Sequence, residues 1–153
     1  MPMLLQVKET AAEQLMKALV QSKTFLVEGK PLMTPEACDF IFEHARIDGL
    51  TEVTEVTPIF KATKDGWTTG DFHRLCDKRG PTLCLAQSSQ NWMSAGFTSK
   101  AWESKGFFNI FTGGFDVEDA SACVFALTDT LQVFKTKNPK AAVVHHRDFG
   151  PYW

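Results

Sequence analysis

The fold of this chain is decided by the sequence FKATKDGW at residues 60–67 together with FHRLCDKRGPTL at residues 72–83. Asp65-Gly66 has the composition of a tight turn, and the strand-like run Ile59-Phe60-Lys61-Ala62-Thr63 precedes it. We therefore predict a strand over residues 59–63 and a chain reversal at Gly66.

A short helix is predicted after this turn. Phe72, Leu75 and Cys76 recur at the i, i+3, i+4 spacing of one helical face, and Thr68 or Thr69 supplies a capping hydroxyl. Gly80-Pro81 then ends the helix, because proline does not continue a helical hydrogen-bond ladder. The residues that follow it begin a strand.

The rest of the chain predicts a few more helices and several short strands. Thr34-Pro35-Glu36 is a helix start, with a helix to about residue 46, and a capping box at residues 10–13 predicts another helix over residues 11–21. Turn residues separate five strand-like runs, at 82–87, 92–98, 123–127, 132–135 and 142–145. Residues 99–119 lack a period and are predicted to form a long ordered loop. The fold class is α+β, with a mostly antiparallel β-sandwich-like core and helices preceding and flanking it.

Composition and charge limit the classes of partner. The chain has 153 residues, of which 44% are hydrophobic and 22% charged, which suits one globular domain. A net charge of −2 argues against nucleic-acid binding. No apolar run approaches the ~20 residues of a membrane span, and the opening residues lack the form of a signal peptide. We expect a cytoplasmic protein that does not span a membrane.

Cysteine and histidine supply the one arrangement that suggests catalysis. Cys38, Cys76, Cys84 and Cys123 are widely spread and are interpreted as reduced thiols. His73 lies one helical turn from Cys76, as a base would lie from a thiol. We favour a structural role, in which His73 bonds a backbone carbonyl near Gly80-Pro81 and Cys76 fills the core. The spacings match no zinc, calcium or nucleotide motif, so we expect no catalytic residues, cofactor or metal. His145 and His146 are adjacent and should point to opposite faces of a strand.

Several motifs occur in a fixed order, and together they resemble the TLDc domain family. Residues 32–35 are similar to the family's helix start, residues 63–66 to its Lys-Asp-Gly turn, and residues 94–99 with Trp102 to its glycine-aromatic element. Residues 119–127 resemble a family strand, and Gly150-Pro151 a late Gly-Pro element. The chain departs from the family at Arg79, where Lys is usual, and at Ser94-Ala95, where Phe-Gly is usual. The positions that match family motifs, all with expected structural roles, are Asp65, Gly66, Phe72, His73, Cys76, Asp77, Gly80, Pro81, Thr82, Gly96, Phe97, Thr98, Trp102, Phe125, Gly150 and Pro151.

The resemblance implies a domain organisation and a function. Residues 1–31 are expected to form a helical leader and linker, and residues 32–153 a TLDc-like domain that lacks the family's final strands. Family members are linked with oxidative-stress protection and with binding the vacuolar proton-pumping ATPase, so the resemblance implies a non-catalytic protein-interaction domain with ATPase subunits as partners.

Two other functions stay open at this point. The chain is also consistent with a thiol redox sensor or antioxidant that uses Cys76 or Cys84, with positive potential from Arg74, Lys78 and Arg79. It is equally consistent with a truncated structural module whose sheet a partner completes. For Trp67, Trp92, Trp102 and Trp153, packing in the core or a loop is favoured over anchoring a partner.

Overall fold

The computed structural model describes residues 26–27, 30–31, 33–45, 57–104, 114–148 and 150–151. The helix predicted over residues 11–21, the residues of the predicted connection before Thr57, and Trp153 lie outside the described residues. The helices are α1 (Pro35–His44), α2 (Ala62–Asp65) and α3 (Thr69–Cys76), with a 3-10 turn at Pro139–Ala141. The strands are β1 (Leu26–Val27), β2 (Lys30–Pro31), β3 (Thr82–Gln87), β4 (Met93–Thr98), β5 (Gly114–Val117), β6 (Cys123–Ala126), β7 (Gln132–Lys135) and β8 (Val143–His146).

The central sheet contains four antiparallel strands in the order β3-β4-β6-β7. Strands β5 and β8 form a separate antiparallel pair. Strands β1 and β2, of two residues each, also pair antiparallel. This confirms an α+β fold with a mostly antiparallel core. The predicted pairing of the strands on either side of Ser88–Asn91 is also confirmed, because Leu85 lies opposite Ala95.

Helix α1 covers one face of the central sheet. Thr34 caps the helix by accepting a hydrogen bond from the Ala37 amide at 3.3 Å. Its apolar face then packs against side chains that point to the same side of β4 and β6. This first cluster is formed by Met33, Ala37, Cys38, Ile41, Ala45, Ala95, Phe97, Cys123 and Phe125. Burial of this face is what fixes the helix on the sheet.

A second cluster lies on the opposite face, at one end of the sheet. Its buried members are Phe72, Cys76, Trp102, Ala122, Ala142 and Val143, and Cys84 of β3 and Val117 of β5 pack against them. Both sheets and helix α3 therefore contribute to one core, which gives the molecule its sandwich-like arrangement. His145 is buried on this inner side of β8 and the half-buried His146 is on the other, as their adjacency predicts.

The structure corrects two predictions of local structure. The run at residues 59–63 is not a strand: Ala62–Asp65 forms a helical turn, because the Asp65 carboxylate accepts a hydrogen bond from the Lys61 amide at 2.7 Å and holds the backbone in place. The predicted loop at residues 99–119 contains strand β5, which forms by pairing with β8 about thirty residues away. A four-residue strand of that kind leaves little periodic signal.

Among the described residues, no helix combines the length and apolar character that crossing a bilayer requires. The same residues contain no group of three or more histidine, cysteine, aspartate or glutamate side chains placed to hold a metal ion.

Candidate functional site

The turn before α3 is built around Gly66 and a capping box. Gly66 has a φ of +118°, a backbone conformation that is strained for any residue with a side chain. A Cβ at this position would also collide with the Asp71 carboxylate. Thr68 caps the helix by accepting from the Asp71 amide at 3.2 Å, and Asp71 in turn accepts from the Thr68 amide at 3.2 Å. Hydrogen bonds from the Thr68 side chain and amide hold the pKa of Asp71 below its ordinary value. This segment is a structural device that sets the direction of α3.

His73 ties α3 to strand β8. Its Nδ1 lies 2.8 Å from the Asp77 carboxylate, and its Nε2 lies 2.9 Å from the backbone oxygen of His146. The predicted bond to a carbonyl is therefore made, but the carbonyl belongs to β8 and not to the Gly80-Pro81 turn. The sequence could not show this, because residues 73 and 146 meet only when the second sheet packs on α3.

Asp77 holds this histidine together with the segment that follows Trp102. Ser104 donates to the Asp77 carboxylate from its amide at 3.0 Å and from its hydroxyl. Burial alone would raise the pKa of Asp77, but the hydrogen bonds from Ser104 and His73 outweigh it and lower that pKa. The carboxylate therefore stays ionised and bonded to two separate parts of the chain.

The Ser104, Asp77 and His73 side chains do not form a catalytic triad. In a triad the histidine lies between the serine and the carboxylate, with Nε2 free to take the hydroxyl proton. Here the carboxylate lies in the middle, and Nε2 of His73 bonds a backbone carbonyl. The Ser104 hydroxyl donates to the carboxylate and not to a histidine nitrogen, so the relay from serine to histidine that defines a triad is not formed.

The thiols beside this network are poorly suited to redox chemistry. Burial, with smaller effects from the Asp77 and Asp65 carboxylates, raises the pKa of Cys76 to about 11. Burial and the neighbouring Cys76 raise the pKa of Cys84 to about 12. Arg74, Lys78 and Arg79 are exposed, and none of them offsets these effects. Because the thiolate is the reactive form, the structure gives the redox-sensor hypothesis no support.

Gly80, Pro81 and Thr82 form a close contact with the segment that contains Trp102. A Cβ on Gly80 would lie 2.7 Å from the backbone of Ala101, and the Gly80-Pro81 peptide is cis. Thr82 accepts a hydrogen bond from the indole nitrogen of Trp102 at 2.8 Å. Trp102 is 1% exposed, so the favoured core role is confirmed for this tryptophan.

The motif residues of β4 and β6 lie in a different part of the molecule. Phe97 of β4 and Phe125 of β6 belong to the first cluster. Gly96 precedes Phe97 on β4 and lies opposite Val124, so its position belongs to the other face of the sheet. Thr98 is fully buried and donates to Asp119 at 2.7 Å. The late motif residues Gly150 and Pro151 line a small cavity of about 160 Å³ together with Gly66, Phe72 and other residues of the α3 turn.

Asp119 is a structural centre that sequence reasoning noted only as the start of a strand motif. Its carboxylate accepts from the Thr98 hydroxyl, from the Ser99 amide at 2.8 Å and hydroxyl at 3.0 Å, and from the Ser121 amide at 2.9 Å and hydroxyl at 2.5 Å. The Asp-x-Ser spacing of Asp119 and Ser121 is the local signal that could have indicated part of it. The contacts to Thr98 and Ser99 depend on the fold.

An uncharged apolar surface lies on the central sheet, on the face opposite α1 and beyond the second cluster. We call it the sheet-face patch, and it consists of Trp92, Val124, Phe134 and the residues between them, Ala86, Ser94 and Ala126. Trp92 is 58% exposed and Phe134 55% exposed. A cavity of about 390 Å³ opens beside Trp92, over Ala86, Ser94 and Ala126.

Exposure rules out the core alternative of the packing prediction for two of the tryptophans. Trp92 and Trp67, which is 80% exposed, are not core residues. The sequence carries no signal that separates them from Trp102, because all three stand among polar and small neighbours. For Trp92, exposure is decided by which end of the central sheet the second cluster covers.

A family model for the TLDc domain matches residues 26–151. No curated protein matches the chain. The matched range contains the α3 turn, the His73 and Asp77 network, the Asp119 centre and both sheets. The chain belongs to the TLDc domain family.

Proposed function

We propose that this chain is a non-catalytic protein-interaction domain that binds the peripheral sector of the vacuolar proton-pumping ATPase in the cytoplasm. Family membership supports a protein-interaction or oxidation-resistance role. The finer assignment to the ATPase follows from what the family resemblance implies. The observation that carries the proposal is the sheet-face patch, which offers aromatic contact area outside the core.

The geometry of the patch suits a protein partner better than a small substrate. Across the sheet, one row runs through Cys84, Gly96, Val124 and Phe134, of which only Val124 and Phe134 are exposed, and the next runs through Ala86, Ser94, Ala126 and Gln132. The small side chains of the second row, Ala86, Ser94 and Ala126, leave a shallow depression in the surface. The exposed rings of Trp92 and Phe134 lie beside it. None of these residues is charged. Exposed aromatic side chains around an uncharged centre are typical of interface hot spots.

The chemical groups near the patch also favour binding over reaction. No histidine, cysteine or carboxylate is among the residues that line the cavity beside Trp92. Cys76 and Cys84 belong to the second cluster, and the side chains of His73, Asp77 and Asp119 are engaged in hydrogen bonds. The protein therefore offers a surface for recognition, and its polar networks support the sheets that present it.

The proposal is tested by capturing ATPase peripheral-sector subunits on the immobilised chain. The wild-type protein is compared with W92S and F134S, which remove exposed rings without opening the core. The control is W67S, because Trp67 is even more exposed, at 80%, but lies at the α3 turn. A hot-spot ring contributes about 2 kcal/mol, so each patch variant is expected to weaken binding roughly thirtyfold while W67S binds normally.

Two results would count against the proposal. Failure of correctly folded wild-type protein to capture the subunits would remove the ATPase assignment. Capture that W92S and F134S leave unchanged would remove the patch as the contact surface and leave the partner in place. Circular dichroism of each variant shows whether the fold is retained.

A further inference from the structure

His145 is a buried side chain whose ring nitrogens find no hydrogen-bond partner among the described residues. It lies on the inner side of β8 and is 4% exposed. Its ring contacts Trp102, with centroids 5.5 Å apart, and Phe115, with centroids 5.2 Å apart in an edge-to-face arrangement. Within the part of the chain that the structure describes, neither ring nitrogen has a hydrogen-bond partner. Buried polar groups are nearly always bonded, so this exception calls for an explanation.

The surroundings of His145 accept a neutral ring and oppose a charged one. Burial lowers the pKa of His145 below its ordinary value, although the carboxylates of Glu103 and Asp77 act in the opposite direction. His73 adds to the effect of burial. An imidazolium has two N–H groups to satisfy, and the aromatic rings of Trp102 and Phe115 present no lone-pair acceptor to either.

The charged groups around His145 come from each element packed on it. Helix α3 contributes His73 and Asp77, and the segment after Trp102 contributes Glu103. Asp77 is already bonded to His73 and to Ser104. On β5, Asp116 follows Phe115 and is exposed, so it points away from the ring. On β8, the ring of His146 accepts from the Asp148 amide at 3.0 Å on the outer side.

Movement of His145 would be transmitted directly to the contact between α3 and the second sheet. The next residue, His146, supplies the carbonyl that Nε2 of His73 bonds at 2.9 Å. Val143, two residues earlier on the same face, is fully buried in the second cluster. A displacement that brings the His145 ring to water would therefore draw the inner face of β8 away from Trp102 and α3.

We propose that His145 is a proton-operated latch that holds the β5–β8 sheet on the second cluster. In the neutral form the ring packs between Trp102 and Phe115, and the sheet stays closed. When the ring takes up a proton at mildly acidic pH, it leaves the apolar interior, and β8 moves with it. The device is a property of the fold and goes beyond the binding function proposed above.

The direction of the pH effect follows from proton linkage. A histidine whose pKa is lowered by the closed state binds a proton more readily in the open state, where its ordinary pKa is about 6.5. The closed state is therefore fully favoured above that pH and loses its advantage as the pH falls. One linked proton increases the opening constant by up to about tenfold for each pH unit below this value.

Hydrogen–deuterium exchange tests the latch. Protection of peptides that contain residues 114–117 and 143–146 is measured at pH 7.5 and 5.5 and corrected for the intrinsic exchange rate. In the wild-type protein this protection is expected to fall up to about tenfold, relative to peptides of α1 and β4. In H145F, whose ring fits the same aromatic contacts without titrating, the pH-dependent fall is expected to disappear.

The matched control is H44Q, which removes a histidine from α1, outside the second cluster. It is expected to behave as the wild-type protein does. An equal loss of protection in H145F and in wild type would overturn the proposal. If H145F does not fold, the ring titration of wild-type His145 by proton NMR decides the question. A ring that titrates at the ordinary histidine pKa while β5–β8 stays protected would also overturn it.

Discussion

Removal of the Asp119 carboxylate should be among the most destabilising changes in this protein. Asp119 is 2% exposed, and its carboxylate accepts hydrogen bonds from Thr98, Ser99 and Ser121. In D119A the fully buried Thr98 hydroxyl and the Ser99 amide lose their acceptor. Each unsatisfied buried group costs about 1–3 kcal/mol. The Ser121 groups are half-buried and can turn to water, so we expect a total loss of about 3 kcal/mol.

D119N separates the loss of charge from the loss of shape. The amide keeps one acceptor oxygen but turns an NH₂ group toward groups that also donate. We expect a loss of about 2 kcal/mol, somewhat less than for D119A. The control is D116N on β5, because the Asp116 side chain is exposed and makes no hydrogen bond or ion pair with the described residues. A surface change of that kind should alter stability by less than about 0.5 kcal/mol.

The assay is equilibrium urea unfolding, followed by tryptophan fluorescence and circular dichroism. The pH dependence gives a second readout. Burial raises the pKa of Asp119, but the hydrogen bonds from Ser121, Thr98 and Ser99 outweigh it and lower the pKa below 3.8. The carboxylate therefore stabilises the fold above that pH, and the stabilisation is lost as the pH falls further. The difference between wild type and D119N should shrink below about pH 4. Equal stability of D119A and D116N would refute this reasoning.

Two further predictions concern the close approach at Gly80 and the thiols. G80A should destabilise the fold by about 1–3 kcal/mol, because its Cβ would lie 2.7 Å from the Ala101 backbone. The control is G70A on α3, where a Cβ has ordinary space. In the same urea assay G70A should be neutral or slightly stabilising. Cys38, Cys76 and Cys123 are buried and Cys84 is half-buried, so a thiol reagent at pH 7 should label the native protein slowly and all four thiols rapidly in urea. Equal stability of G80A and G70A would contradict the prediction for Gly80. A native cysteine that reacts as fast as a free thiol would contradict the prediction for the thiols.

The networks around His73 and Asp119 give several motif residues a structural role. Each network joins segments that are distant in the sequence: His73 bonds His146 of β8, and Asp119 bonds Thr98 of β4. The imidazole, hydroxyl and carboxylate groups of the two networks are already engaged in hydrogen bonds. The result is that both networks support the two sheets, while the sheet-face patch lies on a part of the central sheet that neither network occupies.

The sequence alone determined most of the local structure because the signals there are local. Thr34 and Thr68 cap their helices through hydroxyls three residues from the amides they bond. Four of the predicted strands in the central sheet form at nearly the predicted residues, because turn residues separate them and the alternation of their side chains has a period of two. The order of the motifs also sufficed to indicate the family.

Tertiary structure decided the features that depend on pairing between distant segments. Strand β5 exists because Gly114–Val117 finds β8, and the bond from His73 to His146 exists because that sheet then meets α3. Trp102 is buried and Trp92 exposed for the same reason: the second layer covers only one end of the central sheet. Local composition contains no information about which end that is, because coverage of a sheet face depends on contacts among segments tens of residues apart.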